Sequence, residues 1–311
     1  MLHAKYHLRL GVKELIYFLD NPEKYSVEEV SLMAEYAHII LCNADYWNVL
    51  GGKPVRNTTR QILNLQSARK ICGNGWLLHI DIDEFLHIFN GEVNDLLCLP
   101  DEISEVRIEN VERVLPLEAS TWLDGYLRVK NRRQDLLQKH YGEKSEFYGM
   151  GLANYFHGKS FVIALPGVRQ NIHGATHDHP RREIVRYQIS QREAVIVHYP
   201  CITPSHFVSR YLDFLTRGGK IFPEFKHQRI FRNHLVNLSR TLSPLRAIIK
   251  GMQEMHYCSD VQARERLDDG LYEQMPEDFI SRMRASVFDS QALGLAWADR
   301  SFASHLGLLR I

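Results

Sequence analysis

Ten residues, WLLHIDIDEF at 76–85, constrain this chain more than any others. The run is almost wholly apolar and β-branched at Ile80 and Ile82, so it reads as a strand buried on both faces. Such strands belong to parallel sheets covered by helices. It ends in Asp81, Asp83 and Glu84. In an extended strand Asp81 and Asp83 share one face, and Glu84 takes the other, where it can orient a helix N-terminus or bond a substrate hydroxyl. Two carboxylates on one face repel each other unless a cation lies between them, so the stretch predicts a cation site. A hard divalent ion is one candidate, because it prefers oxygen and often takes only one or two carboxylates, leaving room for water and phosphate. A strand that simply exits into solvent is the plainer alternative.

The preceding residues place that strand third in an alternating series. Residues 2–10 read as a short helix closed by Gly11, and KELIYFL as a buried strand ending in Asp20-Asn21-Pro22. Ser26 and Glu29 form a capping box for a second helix, and HIILCN is a second strand. Ile62, Leu65, Ala68 and Cys72 share a stripe of a third helix, stopped by Gly73-Asn74-Gly75. This β-α-β-α-β order predicts a mostly parallel sheet flanked by helices. Ligands of such sheets bind at the carboxyl ends of the strands, where Asp20 and the Asp81/Asp83 pair both fall.

Farther on, EVRIENVERVL, KSFVIAL and EAVIVHY read as strands, and 116–150 as polar, irregular or helical. A helix opens at Thr203 or Ser205 and stops at Gly218-Gly219, and the remainder reads as helical. The expected fold class is α/β, a mixed, mostly parallel sheet flanked by helices, with a helical C-terminal extension, divided as 1–205 and 206–311.

A net charge of +1 gives no global field for nucleic acid or an anionic membrane, so recognition must be local. No apolar run reaches the roughly 20 residues that cross a bilayer. The first residues carry Lys5, Arg9, Lys13 and Glu14, which excludes a signal-peptide core there. Five scattered cysteines with no CxxC suggest reduced, buried thiols, hence a cytoplasmic protein, with peripheral attachment at a membrane as the alternative.

Four segments, in order, resemble the glycosyltransferase family 2-like group of GT-A enzymes. WLLHIDIDEF resembles its W-hydrophobic-Asp-x-Asp-Glu-Phe strand, and YHLRLGVKELIYFLDN its early H-x-x-x-G-V helix and following strand. RQILNLQSARK resembles the helix before the metal strand, and VIVHYPCITPSHFVSRYLDFLTRGG its late motif. The likeness spans roughly 5–220 and enters inside the family's first helix, so its first strand has no counterpart among the matching residues. The resemblance implies a GT-A-like domain that moves a sugar, with inversion, from a nucleotide-diphosphate donor to a hydroxyl of a glycan, polysaccharide or lipid-linked glycan. It implies Mg or Mn as cofactor. Asp81, Asp83 and His198 match the metal and diphosphate ligands. Asp20 matches the acid facing the nucleoside, while Arg60 of the preceding helix and Glu84, the third motif position, complete the donor side.

An inverting transferase also needs a base to deprotonate its acceptor. Asp178, His173 and His177, from NIHGATHDHP, are candidates, as are Glu109 and Glu112; surface histidines and solvated strand ends are the plain alternatives. The basic runs NRR at 131–133 and HPRR at 179–182 could hold an acceptor phosphate or be solvated loops. HGKS at 157–160 lacks the first glycine of a phosphate loop, because Ala153 stands there. A catalytically degenerate GT-A-like binding protein and a metal-dependent phosphohydrolase are the competing readings.

Overall fold

The computed structural model describes residues 1–117, 119, 121, 123–179, 183–201, 204–216 and 225–287. The chain divides into two compact units, one built from 1–109 and 157–196, the other from 110–156 and 197 onward.

The first unit opens with α1 (Leu2–Arg9), β1 (Ile16–Leu19), α2 (Val27–Ala34), β2 (His38–Leu41), α3 (Ala44–Val49) and α4 (Asn57–Cys72). It continues with β3 (Trp76–Leu78), β4 (Glu84–Ile88), α5 (Val93–Leu96) and β5 (Glu105–Ile108). The chain then gives β6 (Asn110–Pro116), β7 (Tyr126–Arg128) and α6 (Gln134–Tyr141) to the second unit. It returns to the first with β8 (Lys159–Ile163), β9 (Val168–Asn171), β10 (Gly174–His177), β11 (Arg186–Gln188) and β12 (Ala194–His198), whose last two residues re-enter the second. There follow α7 (Pro204–Thr216), α8 (Lys226–Leu238), α9 (Pro244–His256), β13 (Tyr257–Cys258), α10 (Asp260–Asp268), β14 (Tyr272–Gln274) and α11 (Glu277–Ala285).

The predicted α/β alternation is present, and several local signals act as read. Ser26 and Glu29 exchange both capping-box bonds at α2. Gly73, at φ 64°, ends α4, and Gly11, at φ 88°, follows α1. The helix at 204–216 also forms; Thr203 and Gly218-Gly219 lie outside the described residues.

The sheet differs from the expectation. β1 and β2 pair in parallel, as predicted, but β3 runs antiparallel to β8, and β8 antiparallel to β5. The first unit is therefore mixed, as expected, with antiparallel pairing of β3 and β8 in place of parallel. β9 and β10 form an antiparallel hairpin over NIHGATH, where no strand was read because its apolar positions are few. WLLHIDIDEF is also not one strand. It breaks after Leu78, turns through 81–83, with the Glu84 N–H donating to the Asp81 carbonyl at 3.0 Å, and resumes as β4. Apolar continuity shows that both halves are buried; it carries no mark of a turn between them.

Two histidines of α1 pin this break from below. His7 Nδ1 donates to the His3 carbonyl at 2.7 Å, and its Nε2 accepts the Leu86 N–H at 3.2 Å, which fixes a neutral ring. His3 bridges the Tyr17 hydroxyl, at 2.7 Å, and the Glu84 carbonyl, at 3.1 Å. Burial drives the His3 pKa well below 6.5 and that of His7 down to about 4. The unfolded chain protonates these rings near 6.5 and the folded chain does not. Stability is therefore complete above pH 6.5 and falls as pH drops toward 4. The His7 ring can contribute up to roughly 3 kcal/mol at 1.4 kcal/mol per pH unit. Urea midpoints at pH 7.5 and 5.0 should show the drop, and His7→Gln, which can still donate and accept, should flatten it.

The second unit joins β13–β6–β7–β14 to an all-helical layer. Its apolar core runs through Phe207, Phe231, Leu235, Ile248 and Met252. At its centre Glu112 accepts the N–H groups of Ala153 and Asn154, each at 2.7 Å, and pairs with Arg128 at 3.4 Å. These bonds and this partner satisfy a carboxylate that is otherwise costly to bury.

Candidate functional site

The break in WLLHIDIDEF creates a charged cluster in the first unit. Lys159 Nζ lies 3.0 Å from Glu84 Oε2 and 3.1 Å from Asp81 Oδ2. The side chains of Lys159 and Glu84 are 0% exposed and that of Asp81 38%, so the cluster is buried on one side and reaches solvent through Asp81. Glu84 also accepts the Asp81 N–H at 2.8 Å, and Gln61 of α4 donates to Asp81 Oδ1 at 2.8 Å. Burial alone would lower the Lys159 pKa; Glu84 and Asp81 outweigh it and raise it above the ordinary lysine value. The ammonium is therefore charged at any physiological pH.

The cation demanded by the acidic strand end is thus a lysine of the same chain. It serves Asp81 and Glu84 rather than Asp81 and Asp83, because the turn destroys the strand alternation that would have put the two aspartates on one face. Glu84, expected to reach a helix end or a substrate hydroxyl, is instead interior. Asp83, half-buried, sits in the turn beside Ile82, which is 64% exposed.

Lys159 is placed by its neighbour. Gly158 adopts φ +70°, and a Cβ there would lie 2.1 Å from the Ile108 carbonyl oxygen, so only glycine lets β8 start hard against β5. Gly158→Ala should lower stability by about 2 kcal/mol or more, a backbone clash added to a left-handed φ. A shift of the thermal transition would register it.

Two further histidines surround the cluster. His79 and His173 are both held to about 4, chiefly by burial and then by the Lys159 charge. His173 Nδ1 lies 2.9 Å from the Gly158 carbonyl. Of the residues read as bases, His173 is therefore drawn to the Asp81 cluster as a neutral ring. Asp178 is salt-bridged to Arg169, Glu109 accepts from Gln191, and His177 Nδ1 takes the His179 N–H at 2.9 Å. Glu112 and His198 belong to the second unit, where His198 Nδ1 is 3.9 Å from Glu112 Oε1. Of the HPRR run, only His179 lies within the described residues.

At the end of β1, Asp20 pairs with Arg60 at 3.1 Å and Lys53 at 3.4 Å. Arg60 also donates to the carbonyls of Pro54 and Val55, at 2.9 and 3.0 Å, which ties α4 to the segment before it. A cavity of about 610 Å³ lies in the first unit, lined by β1, β3 and α4 and bordered by Gln61, His79 and Asp81.

Whether these residues suit a divalent ion is decided by their occupancy. Both Asp81 oxygens already accept bonds, and among the described residues no three His, Cys, Asp or Glu side chains gather as a cage. Magnesium-type ions need only one or two carboxylates and otherwise keep water or phosphate oxygens, so an ion of that kind is the only one such a turn could suit.

Sequence reasoning overlooked Lys159 and Gln61. HGKS does not fit a phosphate loop, and the usable signal is instead a lysine opening the apolar run KSFVIAL, a position that can be buried only if acids are near. Among the described residues no helix is long and apolar enough to cross a membrane. Comparison of the chain with protein-family models, with curated proteins and with solved structures finds no match.

Proposed function

We propose that the first unit binds a nucleotide-diphosphate sugar at the carboxyl ends of β1 and β3 and that the protein transfers the sugar to a hydroxyl of a glycan, polysaccharide or lipid-linked glycan. The observation that supports this most is the braced turn 81–84. Lys159, Glu84, Gln61 and His3 fix its two ends, so Asp83 is presented from a rigid frame, which is what positioning of a charged ligand needs. Asp20 with Arg60 and Lys53 gives a second polar group at the neighbouring strand end. Asp20 would accept from a nucleoside hydroxyl, and Arg60 and Lys53 would hold its carboxylate in position.

Asp83 would hold Mg or Mn, and such an ion, when bound, neutralises the charge that develops on the leaving diphosphate. Lys159 holds the Asp81 carboxylate in place at 3.1 Å. His173, neutral at physiological pH, can accept a proton, although its low pKa makes it a weak base. Incubation with a panel of radiolabelled UDP- and GDP-sugars and manganese tests the reading. Slow sugar release, lost in Asp83→Asn, is expected; no release from any donor, with or without glycan acceptors, would contradict it.

The competing phosphohydrolase reading requires an aspartate free to attack phosphorus. Asp81, with both oxygens engaged, is poorly suited to that role.

A further inference from the structure

Two strands with an edge unpaired among the described residues line the cavity of the first unit. Among the described residues β1 pairs with β2 alone and β3 with β8 alone, and both β1 and β3 line the cavity. The hydrogen bonds show which main-chain groups of each strand point away from its paired neighbour. Leu15 and Leu19 give their carbonyls to His38 and Cys42 of the β2 side, so residues 15, 17 and 19 point to β2 and Ile16 and Phe18 point away. Gly75 gives its carbonyl to Ala164, so Gly75 and Leu77 face β8 while Trp76 and Leu78 face away. A long thiol contact from Cys72 reaches the Trp76 carbonyl, at 3.8 Å.

The side chains agree. Ile16, Tyr17 and Phe18 of β1 and all three residues of β3 are apolar or aromatic yet only half-buried, whereas β4 and β12 are buried throughout. Leu65 and Ala68 of α4 line the cavity, as do Val93 and Leu97 at α5. One residue of a strand covered on both faces fills roughly 3.3 × 4.8 × 10 Å, about 160 Å³. The 610 Å³ cavity therefore has space for about four such residues.

We propose that this cavity is a slot for one added β-strand, an extended apolar segment of about four residues from a partner polypeptide, hydrogen-bonded through its main chain to Ile16 and Phe18 on one side and to Trp76 and Leu78 on the other. A lipid or small apolar ligand could fill the volume but could not supply alternating N–H and C=O groups to both edges. The occupied slot would join the two sheets and stiffen the strand ends that carry Asp20 and Asp81. The inference does not depend on the sugar-nucleotide reading, because it concerns the strand edges alone.

The test titrates the full chain with a capped hexapeptide of four valines between two lysines, with no nucleotide or metal present, and follows amide exchange by NMR. Saturable slowing of exchange, about tenfold or more, is expected at Ile16, Phe18, Trp76 and Leu78. The same peptide N-methylated at alternate valines should bind at least about tenfold more weakly. Leu78→Pro removes one slot-facing N–H but none that faces β8, and should weaken the peptide without shifting the thermal transition. Absence of saturable protection at the four amides, or equal binding of the N-methylated peptide, would overturn the proposal.

Discussion

Lys159→Met should destabilise the protein by about 3–5 kcal/mol at pH 7, the range for breaking a buried ion pair by removing one partner. The side chains of Lys159 and Glu84 are both 0% exposed and 3.0 Å apart, so the substitution leaves a carboxylate in the interior facing a thioether. Glu84 would then have to protonate, or the turn 81–84 would have to open and hydrate it. Methionine roughly keeps the volume, so the loss reports charge rather than a cavity. The double variant Lys159→Met, Glu84→Gln should recover a large part of the loss, since a neutral amide can still accept the Asp81 N–H. Urea unfolding of the four proteins gives the coupling directly. Single-variant losses that simply add in the double variant would mean that the pair does not act as a unit.

Asp83→Asn carries the second large effect, and it falls on function rather than folding. Asp83 is half-buried in the turn, and asparagine keeps its size and one acceptor oxygen, so the change should cost no more than about 1 kcal/mol of stability, the typical loss for a single substitution. Metal-dependent donor binding and turnover should fall by about 100-fold or more, beyond the 10–100-fold typical of residues that only support a ligand-bearing group. Lys159→Met, by contrast, should lower stability and activity together. A protein in which Asp83→Asn unfolds but Lys159→Met does not would reverse the roles assigned to the two residues.

Much of the first unit was legible because its signals are local. The capping box at Ser26 and Glu29, the stop at Gly73 and the apolar runs of β1, β2 and β8 depend on neighbours a few residues away. The pairing of β3 with β8 joins residues more than 80 positions apart, and alternation along one strand says nothing about its partner's direction. Apolar continuity equally hid the turn between β3 and β4. Of the site, the acids were legible by type and place, and so was their need for a cation. Its identity was not, because Lys159 is 78 residues from Asp81 and is brought there only by the antiparallel return of the chain. The same distance hid Glu84, which the two-residue period of a strand assigns to the opposite face.

On the proposed function, the braced turn 81–84 presents Asp83 to a metal-bound nucleotide diphosphate. Isothermal titration of the intact chain with UDP and with GDP, each in the presence and absence of manganese, tests this most directly. Saturable binding of at least one nucleotide that requires manganese and is lost in Asp83→Asn, while Asp178→Asn binds as the unaltered chain does, is the predicted result. Nucleotide binding that ignores both manganese and Asp83, or no binding of either nucleotide by the folded protein, would contradict it.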